Sequence, residues 1–145
     1  VHSESAFFES LPRSRSAAAA LLFDRAGGVV EQGESPLAAC RRECVEEVGF
    51  VPVLRGLVCV DRLPAHLHPD GRGTTLFVFS GDMPVQGCRA VRLPPEELGG
   101  ARLIALPKQG ATPADAARRV GRAVAAARRG ATVYLEHGRA VQWGR

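Results

Sequence analysis

Between Gly27 and Phe50 the chain reads GGVVEQGESPLAACRRECVEEVGF, which sets a cluster of carboxylates at helical spacing behind a glycine pair. Ser35 and Pro36 suit the N-cap and first position of a helix, and Gly49 suits the left-handed residue just past its end. The spacing therefore predicts a helix over residues 36–48, on which Glu43, Glu46 and Glu47 share one face. Carboxylates at i, i+3 and i+4 repel one another, and Arg42 alone brings too little positive charge to balance three of them. A cation among them would relieve that repulsion, and hard oxygen donors at this density suit Mg²⁺ or Mn²⁺. A solvated acidic face is the plainer account of the same glutamates.

The rest of the chain bounds the answer. Its 145 residues, 46% of them hydrophobic, suit one domain, 1–145, around one core. Nineteen basic and fifteen acidic residues leave a net charge of +4, enough to favour anionic small molecules and too little to imply nucleic acid. No apolar run approaches a membrane span, and the opening VHSESAFFESLPRSR has neither the basic start nor the apolar core of a signal peptide, so a cytoplasmic protein is expected. Cys40, Cys44, Cys59 and Cys88 lack C-x-x-C spacing and are expected as reduced, packed thiols, with Cys40 and Cys44 on the inner side of the motif helix beside Leu37 and Val48.

Residues 17–23 (AAAALLF), bounded by Ser16 and Asp24, form a short apolar run expected as a buried central strand. Residues 54–63 and 74–80 are expected as an antiparallel pair joined by the polar turn HLHPDGRG, whose His66 and His68 are read as solvated loop residues rather than metal ligands. Residues 101–106 suit another strand. Thr112-Pro113 should cap an alanine-rich helix running to about Arg129 and stopped by Gly130. That helix carries Arg118, Arg119, Arg122, Arg128 and Arg129 but no stacking aromatic residue, so it is expected as a surface helix on a sheet, with Val120 and Val124 inward, rather than a nucleic-acid site. Residues 132–135 and 140–143 are expected to flank Glu136-His137-Gly138-Arg139 as a terminal hairpin.

The motif has a specific wording: Gly28, five residues, Glu34, seven residues, Arg42-Glu43, an apolar Cys44, one residue, Glu46-Glu47, one residue, Gly49 and an apolar Phe50. This resembles the Nudix box of hydrolases acting on nucleoside diphosphates linked to another moiety, and TVYLEHGRAV is similar to the end of certain actinobacterial Nudix proteins. The resemblance implies an α/β fold, a Nudix-like α/β/α sandwich with a mixed sheet and a loop-helix-loop catalytic motif. It implies Mg²⁺-dependent hydrolysis of a diphosphate linkage (Mn²⁺ serving as an alternative ion) with Glu46 and Glu47 as metal ligands. The same resemblance implies the Gly27 carbonyl as a further ligand, Glu43 as ligand or base, and Glu34 and Arg42 as braces between loop and helix. Glu96 and Glu97, in VRLPPEEL, are further acidic candidates beside their plain role at a helix start.

The substrate implied is a nucleoside triphosphate, nucleotide sugar or dinucleotide, with its binding residues unassigned and a homodimer left open. The pattern departs before Gly27, where relatives place a strand, a loop and a W-x-x-P-like segment that this chain lacks. Two accounts compete: a naturally short connection, or, as the favoured one, a loop omitted between Phe23 and Gly28. A weak or inert nucleotide-binding or regulatory module of the same fold is the alternative to an enzyme.

Overall fold

The computed structural model describes residues 3–22, 27–49, 51–82, 102–104 and 113–144. In chain order the elements are α1 (Glu4–Ser10), β1 (Arg15–Leu22), β2 (Gly27–Val29), α2 (Pro36–Val48), β3 (Val53–Leu63), a single 3₁₀ turn (Ala65–Leu67) and β4 (Thr74–Asp82). They continue with β5 (Arg102–Ile104), α3 (Pro113–Arg129), β6 (Val133–Glu136) and β7 (Arg139–Ala140). The short helix α1, capped by the Ser3 hydroxyl accepting from the Ala6 amide, was not anticipated and buries none of its residues.

The strands join in the order β2-β1-β4-β3-β6-β7, with β5 also pairing β1. β1 runs parallel to β4 and β3 parallel to β6, whereas the other pairs are antiparallel, so the sheet is mixed. Four alanines make β1 an unusual centre. Alanine favours helix, but a helix would expose part of a run that here is wholly buried. Ala17 and Ala19 face one core with Cys59, Leu76, Val78 and Leu135 under α3. Ala18 and Ala20 face the other, with Phe79 and with Ala39, Cys40 and Cys44 of α2. One helix on each face gives the expected α/β/α sandwich.

The expected omitted loop falls on residues 23–26, outside the described residues. On either side of them β1 and β2 pair antiparallel, Ala19 opposite Gly27. Phe50, Cys88, Glu96, Glu97 and Thr112 also lie outside the described residues, and of the strand expected over 101–106 residues 102–104 are described.

Three expectations need correction. His68 is buried rather than solvated, its Nε2 lying 3.2 Å from the Thr74 hydroxyl, and burial holds its pKa below the ordinary histidine value. The last strand is shorter than residues 140–143: Glu136 pairs with Arg139, and the two-residue loop His137-Gly138 has positive φ at both positions, the twist that a tight hairpin demands. Third, α3 is not basic only on its surface. Arg122, Arg128 and Arg129 are exposed, but Arg119 is completely buried and donates through Nε to the equally buried Asp61 of β3 at 2.5 Å. Asp61 also accepts from the Gly138 amide at 3.0 and 3.1 Å, while His137 Nε2 sits 2.9 Å from Asp115 Oδ2 near the start of α3. A side chain at Gly138 would approach the Asp115 carbonyl to 3.0 Å, so glycine permits both the turn and the close packing.

Candidate active site

The motif folds as its local chemistry dictates. β2 ends by pairing with β1, the Val30 amide donating to the Ser16 carbonyl at 2.9 Å, and the chain then turns through Gly33 at φ 78°. The turn closes on itself: the Glu34 amide donates to the Glu31 carbonyl, and the Glu31 amide donates to Glu34 Oε1, both at 3.1 Å. Ser35 then caps α2 by accepting from the Ala38 amide at 3.0 Å, Pro36 opens the first turn, and Gly49 ends the helix at φ 83°. Helix bounds and both caps match the sequence expectation.

Arg42 is the hub of this segment. Its guanidinium forks onto Glu34, Nε to Oε2 at 2.9 Å and Nη2 to Oε1 at 3.1 Å, and Nη2 also donates to the Val29 carbonyl at 3.0 Å. Its Nη1 donates to Glu43 Oε1 at 2.7 Å and Glu46 Oε2 at 3.3 Å. The loop from 29 to 34 is thereby stitched to the helix by charge-assisted bonds. Hydrogen bonding from Arg42, then from the Glu31 amide, holds the Glu34 carboxyl below its usual pKa, and Glu34 and Glu43 together push the Arg42 guanidinium further up.

The three helix glutamates differ in setting. The Glu43 side chain is largely covered, whereas Glu46 and Glu47 are exposed. Gly27 and Gly28 lie in β2 beside β1, and α2 packs on both strands, so the glycine backbone and the glutamates belong to the same corner of the fold. Among the described residues, no group of three or more His, Cys, Asp or Glu side chains is gathered as a metal cage. The donor set suits Mg²⁺ in kind, since the helix offers hard carboxylate oxygens, yet Glu43 and Glu46 are turned toward Arg42.

Behind them, the inner side of α2 is apolar as expected, with Cys40 and Cys44 buried free thiols. Cys59, also free, is pushed up to about 12 by burial and by Asp61, which makes it inert. Asp61 was not singled out from the sequence, and Arg119 and His68 were read there only as a surface-helix residue and a loop residue. The one available signal was Asp61 itself, an acid inside the apolar strand LVCVDRL.

The NUDIX domain family model matches residues 11–107, and the chain belongs to that family. A crystal structure of a UDP-X diphosphatase superposes with a TM-score of 0.56 at 15% identity, covering 93% of this chain and 76% of that one, which establishes the shared fold. A NUDIX hydrolase from Nitrosomonas europaea aligns at 18% identity over 83% of this chain and 92% of that chain, with a TM-score of 0.49. The solution structure of the E. coli ORF135 protein aligns at 22% identity over 48% of this chain and 61% of that one, with a TM-score of 0.40; the chain thus spans less than two thirds of it. A search of the curated proteins found no match. Family membership supports a hydrolase. Among the described residues no helix is long and apolar enough to cross a membrane.

Proposed function

We propose that this chain, acting as one domain over residues 1–145 in the cytoplasm, hydrolyses a diphosphate linkage within a nucleoside diphosphate bonded to a further group. The observation that carries this is the Arg42 hub, which fixes the glycine turn and the glutamate helix in one rigid unit. In the proposed arrangement Glu46 and Glu47, with the Gly27 carbonyl, hold Mg²⁺, Glu43 is a ligand or the base, and Glu34 and Arg42 keep loop and helix in register. A bound divalent cation supplies neutralisation of the diphosphate oxygens and activation of water. The chain's own part is positional and electrostatic. The water oxygen attacks one phosphorus, the bridging P–O bond breaks, and the leaving phosphate departs with its electron pair while a carboxylate takes up the proton. Release of Glu43 and Glu46 from Arg42 is the rearrangement that such loading requires, and Arg42 keeps Glu34 as its partner throughout.

Triphosphates, nucleotide sugars and dinucleotides are the substrate candidates, and the UDP-X diphosphatase among the fold neighbours adds UDP-linked compounds to that set. The test is release of phosphate or nucleoside monophosphate from such a panel with Mg²⁺, with Mn²⁺ and in excess chelator. Turnover that needs the cation supports the proposal, and undiminished turnover in chelator sinks it. The engagement of Glu43 and Glu46 by Arg42 favours one second reading, a nucleotide-binding module without turnover. Saturable binding with no product from any compound of the panel would select that reading.

A further inference from the structure

On the face of the sheet that carries α2, the helix covers only part of the surface. It packs on β1, β2 and the Phe79 end of β4. The pairing registers define what lies beyond. Gly28 is opposite Ala18, Ala18 opposite Phe77, Phe77 opposite Val60, and Val60 opposite Tyr134. These five residues form one cross-strand row starting at the first glycine of the motif wording, and residues paired in this way project on the same face. Phe77 and Val60 are half-buried, Tyr134 is 39% exposed, and Trp143 is 74% exposed with its ring 6.1 Å from that of Tyr134. The neighbouring row runs Ser16, Thr75, Arg62 and Glu136. Arg62 Nη1 there donates to the Thr75 hydroxyl at 3.1 Å, and Glu136 accepts from the Tyr134 hydroxyl at 3.2 Å.

The result is an aromatic shelf bordered by one cationic donor and one anionic acceptor. With strands about 4.8 Å apart, it begins about 10 Å from Gly28 at Phe77 and ends about 19 Å away at Tyr134. A ligand whose phosphates sit at the motif reaches it through a sugar, and a base offers both what the shelf takes: a flat π-face for the rings, and donors and acceptors along its edge. A lipid or an apolar peptide would leave the two charged borders unused.

We propose that this shelf binds the aromatic base of a nucleotide substrate, stacked on Tyr134 and Trp143 with Arg62 and Glu136 at its edge. The inference rests on the nucleotide reading above and adds where its base is recognised. Trp143 is the sole tryptophan of the chain, so its fluorescence reports on the shelf directly. The 145-residue chain is titrated with ADP, GDP and UDP, and in parallel with ribose 5-phosphate and pyrophosphate. Saturable quenching by the nucleoside diphosphates but not by the base-free compounds is the expected result. Tyr134→Ala should weaken that binding about tenfold or more and raise KM for hydrolysis more than it lowers kcat, while Tyr134→Phe retains the affinity. Should Tyr134→Ala fold poorly, Trp143→Ala, removing a mostly exposed ring, gives the same comparison by calorimetry. Equal quenching by base-free compounds, or unchanged affinity and KM in the alanine variants, overturns the inference. Base-dependent quenching without turnover would leave this shelf standing while defeating the hydrolase reading, and turnover with unaltered KM in both alanine variants would do the reverse.

Discussion

Arg42 and Arg119 sit on helices that flank the same sheet, one on each face, and are held in opposite ways. Arg42 lies at the surface among Glu34, Glu43, Glu46 and the Val29 carbonyl, so its charge is shared among several partners and water. Arg119 is sealed between α3 and β3 with Asp61 as its ion-pair partner, and among the described residues its Nη1 and Nη2 have no hydrogen-bond partner. A solvated hub can exchange one partner for a cation without stranding a charge. A sealed pair cannot, because losing either member leaves the other unpaired at low dielectric. The comparison teaches that this sheet separates two uses of charge: exchangeable on the α2 side, where chemistry is proposed, and fixed on the α3 side, where Asp61 ties β3, α3 and the hairpin loop together.

The largest expected effect breaks the fixed side. Asp61→Ala should lower unfolding free energy by about 3–5 kcal/mol, since it leaves Arg119 buried and unpaired. A urea midpoint close to that of the parent would show that Arg119 escapes to solvent and would dissolve the contrast. On the exchangeable side, Glu47→Gln should cut turnover by about 100-fold or more, because the amide keeps the shape and loses the charge that would hold the cation. A variant that unfolds more easily yet turns over normally would place Glu47 in the wrong class.

Arg42→Lys tests the hub itself. Lysine keeps the charge and loses the planar fork onto Glu34, so a loss of about 1 kcal/mol in stability together with slower turnover is expected. Equal activity would mean that the charge alone suffices.

The smallest effect is a pH slope from His68. Burial lowers its native pKa, whereas the unfolded side chain titrates near about 6.5, so the unfolded chain takes up more protons as pH falls through that range. The stabilisation is therefore present above about pH 6.5 and is lost on acidification toward the native value. Melting temperatures at neutral and mildly acidic pH should diverge less in His68→Gln than in the parent, and identical divergence would assign the slope to other groups.

Sequence alone was most informative where physics is local. Ser35, Pro36 and Gly49 each carry their own capping preference, and the helix they bound lies where they place it. The alanine strand was legible for a different reason: Ala17 to Ala20 offer no polar face, so a short run had to be buried on both sides. Arg119 was opaque because nothing in RRVGR distinguishes a buried arginine from an exposed one; its partner lies 58 residues away in a strand. His68 was hidden similarly, since HLHPDGRG reads as a polar turn and burial comes from packing beside Thr74. In the candidate site the glutamate spacing was visible, but the fourfold grip of Arg42 depends on the path of the turn through Gly33 and so needed coordinates.

The position of β1 has a kinetic consequence. Its long partner β4 follows about 60 residues later in the chain, in parallel register from Arg15 opposite Thr74 to Leu21 opposite Ser80. β2 can close on it early as a local hairpin, but the pairing that makes β1 interior waits until β4 has been synthesised and the intervening loop has been closed at an entropic cost. Until then four adjacent alanines and two leucines form an unprotected apolar segment of the nascent chain. Folding should be slowed by non-local closures of this kind, and the same segment is where an incompletely made chain is most exposed to aggregation.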